Sequence, residues 1–275
     1  MPRVRRRMLA RPESSYRIRR VDGATYFTSR RRFDDLTIVV QRFPGPPVPG
    51  PDFVLVHGVA VSSRYFTPAA ARLSQLGQVY LVDLPGHGAA PDPRRDVSIA
   101  DHAAVLGAFL SEAGMRNPVL VGHSWGSQVV SQLAVDHPEV SDRIVLMAPT
   151  LEPQRRTFWS AVGRLVVDGT REPPTVVLLN IWEYWVRCGL PFALAQMRHL
   201  LADRIEERLP QVAARTLVMR GDADPIVSDE WCARVTALLP DARFETVVGP
   251  HVVMHTDPVR VAELIAEHAQ LAERS

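Results

Sequence analysis

The segment Val119-Leu-Val-Gly-His-Ser-Trp-Gly126 sets a serine two residues from each of two glycines, directly after a run of strand-forming residues. A strand that enters Gly-x-Ser-x-Gly and leaves as a helix turns sharply at the serine. Glycines at 122 and 126 let neighbouring backbone come close, so Ser124 can take a strained conformation that lifts its hydroxyl clear of the strand. The N–H of Trp125, at the helix N-terminus, is then free to donate to a developing oxyanion. Such a site needs a second donor. The backbone N–H of Val59, in His57-Gly58-Val59 at the end of an earlier apolar run, is the candidate. The chemistry these residues suit is attack on an acyl carbon, with an imidazole taking the hydroxyl proton and an acid orienting that imidazole. His251 and His255 stand before the last helical stretch, and Asp222 and Asp224 follow a late apolar run. Residue type alone leaves the choice between the two acids open. His57 reads as a loop-shaping residue, since one base suffices.

The elements that must hold these residues are short, continuous apolar runs separated by helix-length stretches. Ile38–Val40, Phe53–His57, Val79–Asp83, Val119–Gly122, Ile144–Met147 and Leu217–Arg220 read as strands covered on both faces. Between them, helices are predicted from Ser62/Ser63 to about Leu76, over Ile99–Ala113, over Trp125–Asp136 and over Val259–Leu271. This alternation predicts an α/β fold with a mostly parallel central sheet flanked by helices. Residues 151–211 break the rhythm with helical patterns cut by prolines, and hold three of the five tryptophans, Trp159, Trp182 and Trp185. They predict a helical cap inserted into a core made of 1–150 and 212–275, with those tryptophans lining a substrate pocket.

Taken in order, His57-Gly58, Asp83-Leu-Pro-Gly-His-Gly88, Gly122-His-Ser-Trp-Gly126, Arg220-Gly-Asp-Ala-Asp-Pro-Ile-Val227 and His251 resemble the α/β-hydrolase superfamily over about residues 50–270. The resemblance implies the chain order Ser124, Asp224, His251 for nucleophile, acid and base, with Asp222 shaping the turn and His255 structural. Pro250 departs from the pattern, since glycine is common before the histidine; proline restricts Gly249 and removes an N–H. A serine nucleophile argues against the dehalogenases and epoxide hydrolases of the superfamily, which use Asp there. Ser124-Trp-Gly-Ser127 also resembles the elbow of proline iminopeptidases, but His57-Gly-Val-Ala-Val61 replaces their His-Gly-Gly-Pro-Gly. The expected activity is hydrolysis of a carboxylic ester or related acyl bond of a small hydrophobic substrate through an acyl-enzyme, as in carboxylesterases. C–C bond hydrolysis, or a hydrolase-like ligand-binding protein with little turnover, are the alternatives.

Composition bounds the rest. A net charge of +2 argues against a nucleic-acid partner. Every basic residue is Arg, and residues 1–42 carry twelve of them against four acids. That segment is expected to be a solvated, partly frayed arm, with attraction to an anionic surface as the alternative. Cys188 and Cys232 form neither a disulfide framework nor a metal motif and read as small buried hydrophobes. No secretory leader or membrane-spanning run is evident, so a cytoplasmic setting without integral membrane association is expected. The chemistry implies no metal or organic cofactor.

Overall fold

The computed structural model describes residues 10–21, 23–47, 50–150, 152–172, 177–178 and 188–270. Among the described residues nine strands form one sheet in the order β1-β2-β3-β5-β4-β6-β7-β8-β9. The first three, β1 (Ala10–Val21), β2 (Ala24–Phe33) and β3 (Leu36–Phe43), are antiparallel, and β3 runs antiparallel to β5 (Val79–Asp83). From β5 onward the pairing is parallel, through β4 (Phe53–Val56), β6 (Val119–His123), β7 (Arg143–Met147), β8 (Arg215–Gly221) and β9 (Ala242–Val247).

Strand side chains alternate between two helical layers. Val54, Val56, Leu120, Ile144, Leu146 and Val218 join a core with α2 (Ile99–Glu112), α3 (Trp125–Asp136) and α7 (Asp229–Leu238). Phe53, Leu55, Val119, Val121, Val145, Met147, Leu217 and Met219 join a second core with α1 (Thr67–Leu73) and α9 (Pro258–Gln270) on the other face. Burial on both faces explains why these strands read as unbroken apolar runs rather than as alternation.

Local signals set several boundaries. Ser98 accepts the Asp101 N–H while Asp101 accepts the Ser98 N–H, a reciprocal cap that starts α2. Gly114, at φ 64°, follows its end. The helix predicted to run to Leu76 is instead a 3-10 turn, Ser63–Phe66, capped by Ser62, followed by α1, which stops at Leu73.

Residues 10–42, expected to be mostly a solvated arm, form β1, β2 and most of β3 instead. Cross-strand pairing, with Glu13 opposite Arg30, organises an Arg-rich hairpin whose charge hides its strand character. Tyr26, Phe33, Leu36 and Ile38 are buried against the core, which anchors this edge of the sheet.

Between β7 and β8 the described residues contain helices and no strand: α4 (Phe158–Gly169), α5 (Leu190–Ala202) and the short α6 (Ile205–Arg208). The buried Gln196 of α5 bonds His102 Nε2 and the Val97 carbonyl, and Gln128 of α3 donates to the Leu200 carbonyl. A last short helix, α8 (Val253–Thr256), precedes α9. Among the described residues no helix is long and apolar enough to cross a membrane.

Candidate active site

The chain runs from β4 out to β5 on one side and returns to β6 on the other. The gap between β4 and β6, at the carboxyl ends of the strands, is therefore a topological switch point where a crevice is expected. His57-Gly58-Val59 follows β4 and Ser124 follows β6, so the two segments carrying Ser124 and the oxyanion-donor candidates are neighbours.

Ser124 sits at φ 53° and ψ −118°, at the junction of β6 and α3. For a residue with a side chain this backbone costs about 1–3 kcal/mol. The neighbouring glycines make the turn possible. A methyl on Gly126 would lie 2.5 Å from the Val56 carbonyl oxygen, and one on Gly122 would lie 2.8 Å from the Ser127 nitrogen. Ser124 N–H donates to Met147 O at 2.8 Å, and the Ser127 hydroxyl donates to Gly122 O, which ties the turn to β7 and to its own strand. Ser124 is partly exposed while its neighbours from Val119 to Ser131 are buried.

Asp224 and His251 come from the loops after β8 and β9. Asp224 Oδ1 accepts the N–H groups of Ile226 and Val227 at 2.7 and 3.1 Å, and Oδ2 accepts the His251 Nδ1–H at 2.8 Å. Asp222 instead accepts the Gly249 N–H, joining the two loops. Gly249 adopts φ 140°, a left-handed region open to glycine, ahead of Pro250. Burial pulls the His251 pKa down, but the adjacent Asp224 carboxylate and the nearby Asp168 and Glu172 more than offset this and push it up to about 9. His255 lies in α8 and pairs with neither acid among the described residues.

The imidazole reaches the serine turn through His123. The two rings lie 4.5 Å apart, and His123 Nε2–H donates to the His251 carbonyl at 3.1 Å. That bond leaves His123 Nδ1 to accept the Tyr65 hydroxyl proton at 2.9 Å, while the same hydroxyl accepts the Gly58 N–H at 2.6 Å. One line of hydrogen bonds thus joins the turn after β4, the residue before Ser124 and the His251 backbone. Burial, followed by the charge of His251, keeps His123 neutral, as this tautomer requires. No hydrogen bond joins Ser124 Oγ to His251 among the described residues. Such contacts are commonly long in an unliganded site and tighten around substrate.

His57 orients the second donor. Its Nε2 accepts the Leu84 N–H at 3.1 Å, so Nδ1 carries the proton and donates to Gly58 O at 2.7 Å. In a trans peptide the N–H points opposite to its carbonyl, so holding Gly58 O turns the Val59 N–H away from His57. Among the described residues neither the Val59 nor the Trp125 N–H donates a hydrogen bond. The Trp125 ring is fully buried, stacked 5.0 Å from His87. Asp83 accepts N–H groups from Ser63 and Ala89 and holds the adjoining loops.

Of the predicted pocket residues, Trp159 is 79% exposed and lines a groove of about 370 Å³ with Ser160, Gly163, Arg164, Val167 and Pro225. Trp182 and Trp185 lie outside the described residues. Three residues near the site went unnoticed in the sequence: Asp168, whose Oδ1 accepts the His251 N–H at 3.4 Å, and Arg164 and Arg171, which bond the Asp224 loop. Burial raises the Asp168 pKa. No spacing or motif in the sequence singles these residues out.

A model of the alpha/beta hydrolase family matches residues 53–264. An uncharacterized protein of Mycobacterium tuberculosis is 35% identical over 99 residues, which are 36% of this chain and 29% of that protein. RutD of Escherichia coli, a candidate carbamate hydrolase, is 41% identical over 96 residues, 34% of this chain and 36% of RutD. The matched stretch spans about a third of these curated relatives. A candidate lipase from Acinetobacter baumannii superposes with a TM-score of 0.76 at 18% identity, covering 90% of this chain and 92% of the lipase. At that identity the likeness speaks to the fold alone.

Proposed function

This chain belongs to the alpha/beta hydrolase family, and we propose that it works as a serine hydrolase on a carboxylic ester or related acyl bond of a small hydrophobic substrate. In this reading His251 Nε2 takes the proton of Ser124 Oγ as the oxygen attacks the carbonyl carbon. The oxyanion rests on the N–H groups of Val59 and Trp125. Collapse expels the alcohol, which leaves with the proton held by His251, and the serine remains acylated. Water then gives a proton to His251 as it attacks the ester carbonyl, and collapse of that second intermediate releases the acid as His251 returns the proton to Ser124 Oγ. Asp224 keeps Nδ1 protonated and stabilises the imidazolium throughout.

The observation that carries this reading is the buried His251–Asp224 pair packed on His123, the residue before Ser124. With Nδ1 committed to the acid, Nε2 is the nitrogen left for the serine proton. The stretch 151–211 serves in this reading as a cap whose apolar side chains, Phe158, Trp159, Val166 and Val167 on α4, favour hydrophobic acyl groups. The carbamate assignment of RutD widens the acyl class worth testing. A panel of p-nitrophenyl esters of increasing acyl length, with succinyl and aminoacyl counterparts, tests it. The reading expects kcat/KM to rise with apolar chain length. A clear preference for the charged esters would overturn the substrate class.

A second reading, a ligand-binding protein with little turnover, draws on the missing Ser124–His251 hydrogen bond and the raised His251 pKa. It expects ester binding without release of p-nitrophenol.

A further inference from the structure

Four consecutive carbonyls around Asp224 each accept a hydrogen bond from an arginine. Arg220, at the end of β8, donates Nη2 to the carbonyls of Asp222 and Asp224 at 3.3 and 3.2 Å. Arg171 Nη1 donates to Ala223 O at 2.8 Å, and Arg164 Nη1 donates to Pro225 O. Arg220 belongs to the sheet. Arg164 and Arg171 belong to α4 and the turn that ends it, in the inserted stretch. Midway between them, Asp168 accepts the backbone N–H of His251. Positions 164 and 168 are four apart and share one face of α4, and Arg171 follows in the turn that ends it.

Together these three residues touch the backbone of the two residues flanking Asp224 and of His251 itself. Among the described residues, Glu152 at the start of the insertion also accepts the Ser228 hydroxyl beyond the Asp224 loop, while Gln196 bonds His102 and Val97, and Arg208 bonds Ser131, Gln132 and the Gln128 carbonyl. The loops bond each other where Ala223 N–H donates to Gly249 O and Gly249 N–H to Asp222, but the carbonyls of Ala223 and Pro225 and the N–H of His251 have no such partner, and donors and acceptors from the insertion satisfy them. We propose that Arg164, Asp168 and Arg171 are positioning residues, and that docking of α4, added to the direct bonds between the loops, fixes the Asp224 and His251 backbones in their working positions. The proposal rests on the reading of Asp224 and His251 as the working acid and base. It makes the inserted helix a condition for assembling that pair as well as a wall of the pocket. Displacement of α4 releases both loops together.

Four charged or titratable groups face His251: Asp224 from the loop after β8, Asp168 and Glu172 from α4 and its exit, and His123 from β6. Replacing Asp168 with Asn removes a negative charge that favours the imidazolium, so the His251 midpoint moves down. The test is NMR of the full chain carrying ¹⁵N-labelled histidine, on wild type, Arg164→Ala, Arg164→Lys and Asp168→Asn, with fluorophosphonate labelling rates in parallel. The wild type and Arg164→Lys are expected to show a slowly exchanging His251 Nδ1 proton, and Arg164→Ala to lose it. Asp168→Asn is expected to titrate at lower pH. Labelling should slow about ten- to hundredfold in Arg164→Ala, the scale of a displacement of about 1 Å, and recover in Arg164→Lys. If Arg164→Ala does not fold, the Asp168→Asn midpoint decides. A Nδ1 proton and a midpoint indifferent to these substitutions overturn the proposal. The expected NMR changes in a protein that takes no label would uphold it and sink the hydrolase reading instead.

Discussion

Asp224 accepts two loop N–H groups on one oxygen and the His251 Nδ1–H on the other, whereas Asp222 is spent on Gly249 N–H. The two acids therefore respond differently to loss of charge. Asp224→Asn should lower kcat on the order of 10⁴-fold, because an amide no longer enforces the imidazole tautomer. Asp222→Asn keeps an oxygen for Gly249 and should leave kcat within a few-fold; equal losses in the two variants would contradict the assignment. The pH profile follows from the same pair. His251 must be neutral to accept a proton, and its pKa is pushed up to about 9 from 6.5. We expect kcat/KM to rise with pH, with an acid-limb midpoint well above 6.5; a midpoint at or below 6.5 would show that Asp224, with Asp168 and Glu172, does not outweigh burial at the ring. Residue types and spacing exposed Ser124 and the two backbone donors, because glycine spacing encodes a backbone shape. They left Asp222 and Asp224 undecided, since two acids one residue apart differ only in which way a turn points them. Asp168 was illegible, because its partner is a main-chain N–H far away in the sequence.

At the scale of elements, the turn between β6 and α3 holds strain in exchange for an exposed hydroxyl. Ser124 at φ 53° costs about 1–3 kcal/mol. Glycine would relieve that while adding about 0.5–1 kcal/mol of chain entropy to the unfolded state. The first effect is the larger, so Ser124→Gly should raise the melting temperature while abolishing turnover. A lower melting temperature would mean that the turn is relaxed. The strands that hold this turn were readable as apolar runs because helices bury both their faces. β1 and β2 were not, since they lie at an edge and carry arginine where a central strand carries valine. β9 was missed for a related reason: most of Ala242–Val247 is only half-buried or exposed, which weakens its apolar signal. The helix Asp229–Leu238 also went unpredicted, although Ser228 caps it by accepting the Trp231 N–H.

Across the whole molecule, the parallel sheet aims four separate chain segments at one crevice. In the proposed reading the loops after β4, β6, β8 and β9 supply the donor turn, the serine, the acid and the imidazole, and α4 with its exit turn, from the stretch between β7 and β8, docks on the last two of these loops. Order along the chain was visible in advance. Convergence was not, because it depends on strand order and on the line of hydrogen bonds from Gly58 through Tyr65 and His123 to His251. The most direct test of that convergence is labelling of the native protein with a fluorophosphonate, followed by peptide mass spectrometry. A single adduct on Ser124, lost in Ser124→Ala and strongly slowed in His251→Ala, is the predicted result. An unlabelled native protein, or an adduct on another serine that survives Ser124→Ala, would contradict the assignment of Ser124 as nucleophile.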